Sequence, residues 1–207
     1  MLGGWEMPRI RSSVLFLLFA LFAVPASAQD ASHSEVAVNF TGNFQAQAEG
    51  FGVTDRASDT GGALAVYRYH FNKWSAIEVN YSYARFSQSY SPSGGSITQA
   101  NAQEFTLAYV NSLGTKPSLR VRPFVEAGTG GVFFSPVAAG STVSGLTQDR
   151  AALLIGAGAD WRAFRRVSLR LGYRGLVYKA PDFSVPAQGT NATTILSEPY
   201  AGIVIRF

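Results

Sequence analysis

The chain has 207 residues, enough for one domain, with a formal net charge of +4 and no cysteine. So mild a charge argues against a nucleic-acid partner held by a basic face, and the missing thiols exclude disulfides and thiolate metal sites. Charged residues make up 14% of the chain, well under the roughly 25% of a soluble domain, while aromatics reach 13%.

Arg9 and Arg11 precede an apolar run from Val14 to Val24, followed by Pro25-Ala-Ser-Ala28. A basic start, a short apolar stretch and an Ala26-x-Ala28 site predict a secretory signal peptide over residues 1–28, cleaved after Ala28. The run is too short to span a bilayer as a helix, which takes roughly 20 apolar residues. The remaining residues, 29–207, form one domain in this reading.

Eight strands of about ten residues, the length a tilted strand needs to cross a bilayer, follow in chain order. From Glu35 to Gln45, Val36, Val38, Phe40, Gly42 and Phe44 alternate with polar residues at period two. The second strand runs about 62–71, with Ala65, Tyr67, Tyr69 and Phe71 opposite Arg68 and His70. The third covers 75–86, with Glu78, Asn80 and Ser82 on its polar face. The fourth covers 102–111, with Phe105, Leu107 and Tyr109 opposite Glu104 and Thr106. The fifth, 119–134, sets Val121 and Val125 against Arg122 and Glu126; Pro123 is tolerable there only near the strand start. The sixth, 151–162, and seventh, 167–178, set Leu and Ile against Gly156, Gly158, Asp160, Arg170 and Arg174. The eighth ends the chain at Pro199–Phe207, with Ile203, Ile205 and Phe207 on one face and Gly202, Val204 and Arg206 on the other.

The connections alternate. Residues 72–75, 112–118 and 163–166 make short turns; 46–61, 87–101, 135–150 and 179–197 make long loops rich in Gly, Ser, Thr and Pro. Short periplasmic turns and long outer loops are the pattern of an up-and-down membrane barrel, with both termini periplasmic. Apolar stretches at 135–140 and Thr194-Ile195-Leu196 are candidate contact points for an outside partner.

The polar face separates a membrane barrel from a soluble one. A solvated exterior carries many Lys and Glu of both signs. This face is Asn, Thr, Ser and Gly with a few Arg and acids, and no strand-interior Lys. It therefore reads as a lumen. Phe71, Trp74, Tyr109, Trp161, Phe164 and Phe207 fall near the periplasmic edge; Phe44, Tyr83, Phe86, Phe133 and Tyr178 fall near the outer edge. These form two aromatic girdles.

The inward set holds Glu35, Arg68, Glu78, Glu104, Arg122, Glu126, Asp160, Arg170, Arg174 and Arg206. A charge inside a narrow barrel costs several kcal/mol unless paired. Eight strands leave an interior that side chains fill, so the expectation is a polar plug of Arg–carboxylate pairs rather than an open channel. Gly128, Gly130, Gly156, Gly158 and Gly172 are expected to make room for the arginines. A narrow ion path lined by the same charges is the alternative. His33 and His70 lie in no Ser-His-acid or metal-ligand spacing, so neither an enzyme nor a cofactor is expected.

Over the mature chain this pattern resembles the eight-stranded outer-membrane barrels of the OmpA/OmpX type, within the broad outer membrane protein β-barrel domain family. Residues 35–42 (EVAVNFTG), 122–131 (RPFVEAGTGG), 155–161 (IGAGADW), 167–174 (VSLRLGYR) and 203–207 (IVIRF) carry the resemblance. It implies an all-β, eight-stranded antiparallel transmembrane barrel in the outer membrane of a Gram-negative envelope. It also implies that the assembly machinery reads the C-terminal strand through Phe207. The chain stops at the barrel, so the peptidoglycan-tethering domain of OmpA is not implied. The expected partners are outer-membrane lipid, that machinery and an unidentified partner of the outer loops; the barrel is expected to be monomeric. Two roles stand open: a structural or surface-interaction barrel, and a narrow pore or lateral route for small solutes.

Overall fold

The computed structural model describes residues 33–91, 96–113, 120–137, 146–184 and 190–207; the expected signal segment and its expected cleavage site at Ala28 lie outside them. The described residues form ten strands: β1 (Ser34–Gln45), β2 (Ala48–Gly50), β3 (Val53–Ala57), β4 (Thr60–His70), β5 (Ser75–Ser91), β6 (Ser96–Ser112), β7 (Val121–Val137), β8 (Gln148–Arg162), β9 (Val167–Lys179) and β10 (Thr193–Arg206). The eight long ones pair antiparallel with their chain neighbours, and β10 pairs back onto β1, so the sheet has no open edge along the wall. Closure matters because an unpaired backbone group in hydrocarbon has no water to turn to. The seam reaches the last residue: Phe207 N donates to Ser34 O at 2.9 Å, and Ser34 N to Phe207 O at 3.3 Å.

Period two decides the two faces. In β5 the even residues from Ala76 to Tyr90 are buried while Val79, Tyr83 and Arg85 look outward. Outward Phe40, Leu107, Ile155, Leu171 and Ile203 are exposed on the wall, as a lipid-facing surface requires. Phe71, Trp74, Tyr109, Trp161, Phe164 and Phe207 are exposed around the rim where β1 begins and β10 ends. Phe44, Tyr83 and Phe133 are exposed toward the other rim, but Phe86 and Tyr178 are not part of that girdle. Both are buried inside, because the inward alternation of Glu78–Ala84 and of Ser168–Arg174 runs on through them.

The strands rise higher on the outer side than the sequence pattern suggests. β5 runs to Ser91, β6 starts at Ser96, β7 reaches Val137 and β10 starts at Thr193. The apolar stretch Thr194-Ile195-Leu196 is therefore barrel wall: Leu196 points inside and Ile195 outside. Residues 135–137 likewise belong to β7. Pro199 sits inside β10, paired with Tyr173 of β9. It has no N–H to donate, and on its other side the β1 ladder skips from Thr41↔Tyr200 to Phe44↔Ser197.

The connection expected as the first long loop folds into a hairpin, β2–β3. Phe51 and Gly52 both have positive φ, at 50° and 75°, the backbone of a two-residue type I′ turn. β3 then pairs with the outer end of β5, from Thr54↔Ser91 to Ala57↔Gln88. Between β4 and β5, Asn72 Oδ1 accepts from Trp74 N at 2.8 Å and Ser75 N at 2.9 Å, closing a short turn with one side chain.

Candidate functional site: a layered lumen

The barrel interior is the one place where charge, burial and shape converge. The end where β1 begins and β10 ends holds an ionic cluster. Arg170 of β9 is bidentate on Asp160 of β8, Nε to Oδ1 at 2.7 Å and Nη2 to Oδ2 at 3.0 Å, and reaches Glu35 Oε1 of β1 at 2.5 Å. Arg68 of β4 donates to Glu78 Oε2 of β5 at 2.6 Å and meets Glu35 Oε1 at 3.3 Å. Arg206 of β10 donates to the other oxygen of Glu35 at 3.0 Å. Each acid is thus shared by several guanidinium groups, a use that the planar five-donor fork suits. The Phe124 ring packs beneath two of those guanidiniums, 4.4 Å from Arg68 and 5.1 Å from Arg170. Such contacts repay part of the cost of desolvating a cation.

Arg122 stands at the edge of this cluster, half-buried, in the field of Arg206, Glu35 and Asp160. His70 Nε2 lies 3.2 Å from Glu35 Oε2, and His33 packs at the same end, its Nδ1 3.2 Å from His70 O. Both histidines are therefore at the end of the barrel where β1 begins and β10 ends.

Higher up, Arg174 of β9 crosses the lumen. Its Nε donates to Glu198 Oε2 at 2.5 Å and its Nη2 to Glu104 Oε2 at 2.9 Å, with Thr106 Oγ1 3.2 Å from the second Glu104 oxygen. Glu126 accepts from Tyr200 OH at 3.4 Å. Glu198 is absent from the sequence reading because the last strand was started at Pro199. The signal was available: Thr194, Leu196, Glu198 and Tyr200 continue the inward period of Gly202, Val204 and Arg206.

The third layer is apolar and overturns the expectation of a wholly polar interior. Phe86, Phe134, Leu154, Leu176, Tyr178, Leu196 and Phe183 form one buried cluster in the outer part of the barrel. Phe134 packs against Tyr178 at 5.9 Å between centroids and edge-on to Phe183 at 6.3 Å. Phe183 comes from the β9–β10 connection and is fully buried, with φ at 50°. Gln148 holds it in place: its Oε1 accepts from Asp182 N at 2.9 Å and Phe183 N at 3.2 Å, while its Nε2 donates to Asp182 Oδ1 at 2.7 Å. Period two carried on along β5, β7 and β9 brings Phe86, Phe134 and Tyr178 inside, and Gln148 brings in Phe183.

The inward glycines divide by role. Only Gly156 borders an arginine: a Cβ there would lie 2.4 Å from Glu126 Oε1 and 3.0 Å from Arg174 Cβ. Gly158 and Gly172 instead make room for the rings of Phe124 and Tyr200, at 2.6 and 2.4 Å. Gly128 and Gly130 face the β6 backbone, where a Cβ would meet the Leu107 and Phe105 carbonyl oxygens at 2.2 and 2.0 Å.

Outside the wall, a depression of about 740 Å³ lies over Ala127, Ala157 and Gly175, rimmed by Tyr109, Val125, Ile155, Tyr173 and Ile195. Its rim is made of outward side chains, so bilayer lipid fills it. Among the described residues, no group of three or more His, Cys, Asp or Glu is arranged to hold a metal.

Residues 14–196 match the family described as outer membrane protein beta-barrel domain. Among solved structures, the fold is similar to Neisserial surface protein A (NspA), at 18% identity and a TM-score of 0.61, over 86% of this chain and 100% of that one. It is similar to the outer membrane protein OprG from Pseudomonas aeruginosa at 12% identity and a TM-score of 0.63, over 84% and 95% of the two chains. It is also similar to outer membrane protein AlkL, whose structure was determined in lipid bilayers, at 14% identity and a TM-score of 0.56, over 89% and 95%. At such identities the likeness is one of fold. No curated protein matches the chain. With the closed eight-stranded wall, the apolar exterior and the family match together, the chain belongs to the outer membrane protein β-barrel domain family and sits in the bacterial cell outer membrane.

Proposed function

We propose that the protein is a closed, non-catalytic barrel that anchors a rigid frame in the outer membrane and presents its outer connections to the surroundings. The observation that carries this reading is the stacking of layers across the lumen. Shared ion pairs around Glu35, Asp160 and Glu78 lie below Arg174 with Glu104 and Glu198, and the Phe86–Phe134–Phe183 layer lies above. An ion following the axis would have to part charge-assisted hydrogen bonds and then displace packed aromatic side chains. The placement of both histidines near the periplasmic end supports a non-catalytic role, since chemistry on outer-leaflet lipid needs its base at the other rim.

The assignment of residues 1–28 as a signal peptide cleaved after Ala28, and of Phe207 as the mark read by the assembly machinery, are parts of the same proposal. Deleting Phe207 removes the last pair of the β1–β10 seam. The expected outcome is a marked loss of folded barrel from the outer-membrane fraction, read by heat-dependent gel migration. Undiminished assembly would count against an assembly role for that residue.

Topology and role are tested together on cells. The chain has no cysteine, so single replacements give clean labelling. A membrane-impermeant maleimide should label Phe51→Cys on intact cells and label Phe164→Cys only after the outer membrane is breached. Proteoliposomes of the wild-type protein should not swell in small neutral sugars. Uptake of such sugars would replace the surface role with the narrow-pore reading.

A further inference from the structure

The β2–β3 hairpin carries a carboxyl that neither the wall nor the lumen network uses. Its inner face is Ala48, Asp55 and Ala57, all buried, with Val53 packed on the outer aromatic cluster. Its outer face is bound to itself: Arg56 donates to Gln47, and Gln47 to Glu49. The hairpin reaches over the mouth, and Gly50 lies so close to Thr190 that a Cβ there would meet the Thr190 carbonyl oxygen at 1.9 Å. Its feet are tied to the barrel through Ala46 with Ile195 and Ser58 with Ser87, but its own ladder is short. β3 is paired with β5 at four positions, and β2 ends the strand order with no further neighbour.

Asp55 is fully buried in the middle of this face, and neither of its oxygens has a hydrogen-bond partner among the described residues. The titratable groups facing it are Tyr90, its cross-strand partner on β5, and Tyr178 on β9. Both hydroxyls are already engaged: Tyr90 donates within 3.0 Å of Gln88 Oε1 and Pro181 O, and Tyr178 donates to Gln45 Oε1 at 3.0 Å. From the β9–β10 connection comes another acid, Asp182, which faces Tyr90 and is tied to Gln148 and Arg150. From β1 comes only neutral Gln45. The Asp55 carboxylate therefore has burial against it and no cation to offset it. Burial alone pushes its carboxyl up from 3.8 to about 7.

We propose that the hairpin is a proton-latched cover of the outer mouth, docked while the Asp55 carboxyl is neutral and released when it ionises. The geometry supplies each part: a small unit, weakly paired, whose inner face is apolar except for one unpartnered acid. The sign follows from linkage. The docked carboxyl binds its proton more tightly than the free one, so docking is strongest below about pH 4 and weakens as pH rises. The docking equilibrium falls about tenfold per pH unit until about pH 7, then levels off, a total of about a thousandfold. External acidity would therefore decide whether the aromatic layer is covered or exposed to the outside.

The test is a distance across the mouth in the full barrel in lipid bilayers. Spin labels are placed at Phe51→Cys on the hairpin tip and Leu153→Cys on the far wall, both exposed. The expected result is a single distance at about pH 4 and a second, broader population that grows toward about pH 8. In Asp55→Asn the first distance should persist throughout; Asp55→Ala serves if Asn does not fold, with folding checked by gel migration. A wild-type distribution that does not change with pH would overturn the proposal. So would an unchanged pH response in either Asp55 variant.

Discussion

Replacing Arg170 with Ala is expected to destabilise the barrel by about 3–5 kcal/mol, the cost of breaking a buried ion pair by removing one partner. The side chain is fully buried, and its loss strips Asp160 of two hydrogen bonds and Glu35 of one. Both acids would be left inside a lumen with reduced compensation, and the Phe124 ring would lose one of its two cations. The matched control is Arg85→Ala. Arg85 is exposed and donates to Asn101 at 2.8 Å, so its removal should change stability by less than about 0.5 kcal/mol. Reversible urea unfolding in lipid bilayers reads both. Equal effects for the two variants would show that the interior is wet enough to screen its charges.

The second large effect is steric. Gly202 of β10 faces Asn39 across the closing seam, where a Cβ would lie 2.1 Å from Val38 O and 2.5 Å from Asn39 Cα. Those are backbone atoms and cannot swing aside. Gly202→Val should therefore prevent β1 and β10 from pairing and leave no folded barrel on a heat-modifiability gel. Gly175→Ala is the contrast: its Cβ would meet nothing nearer than 3.9 Å, and folding should be unaffected. Both sites are strand glycines, and Gly202→Ala set beside Gly175→Ala compares them at equal side-chain size.

Much of the wall was legible because period two is a local property. Glu35, Ala37 and Asn39 must share a face whatever lies opposite, and the same holds for Ser168, Arg170 and Arg174. The errors came where that rule was dropped too early. Stopping the third strand at Phe86 placed that ring in a girdle, although Glu78, Asn80, Ser82 and Ala84 already assigned it inward. Starting the last strand at Pro199 hid Glu198, the partner of Arg174. A proline reads as a boundary, yet at a ladder position where no N–H is given it can sit mid-strand.

Other features depend on register and could not be read along one strand. Gly158 and Gly156 look alike in sequence, but one faces Phe124 and the other Arg174 and Glu126, by virtue of cross-strand partners. The β2–β3 hairpin left a local trace in Gly50-Phe51-Gly52. Its docking over the mouth, and the burial of Asp55 that follows, are tertiary. Phe183 is likewise silent in sequence, since only its fixation by Gln148 brings it into the lumen.

Side chains close the lumen from the Glu35–Arg170 cluster to the Phe134–Phe183 layer. In single-channel recording on the refolded protein in planar bilayers, the wild-type barrel should show no stepwise conductance, and openings should appear once Phe134→Ala, Phe183→Ala and Arg174→Ala are combined. Discrete, salt-dependent steps in the wild type would mean that the lumen is open.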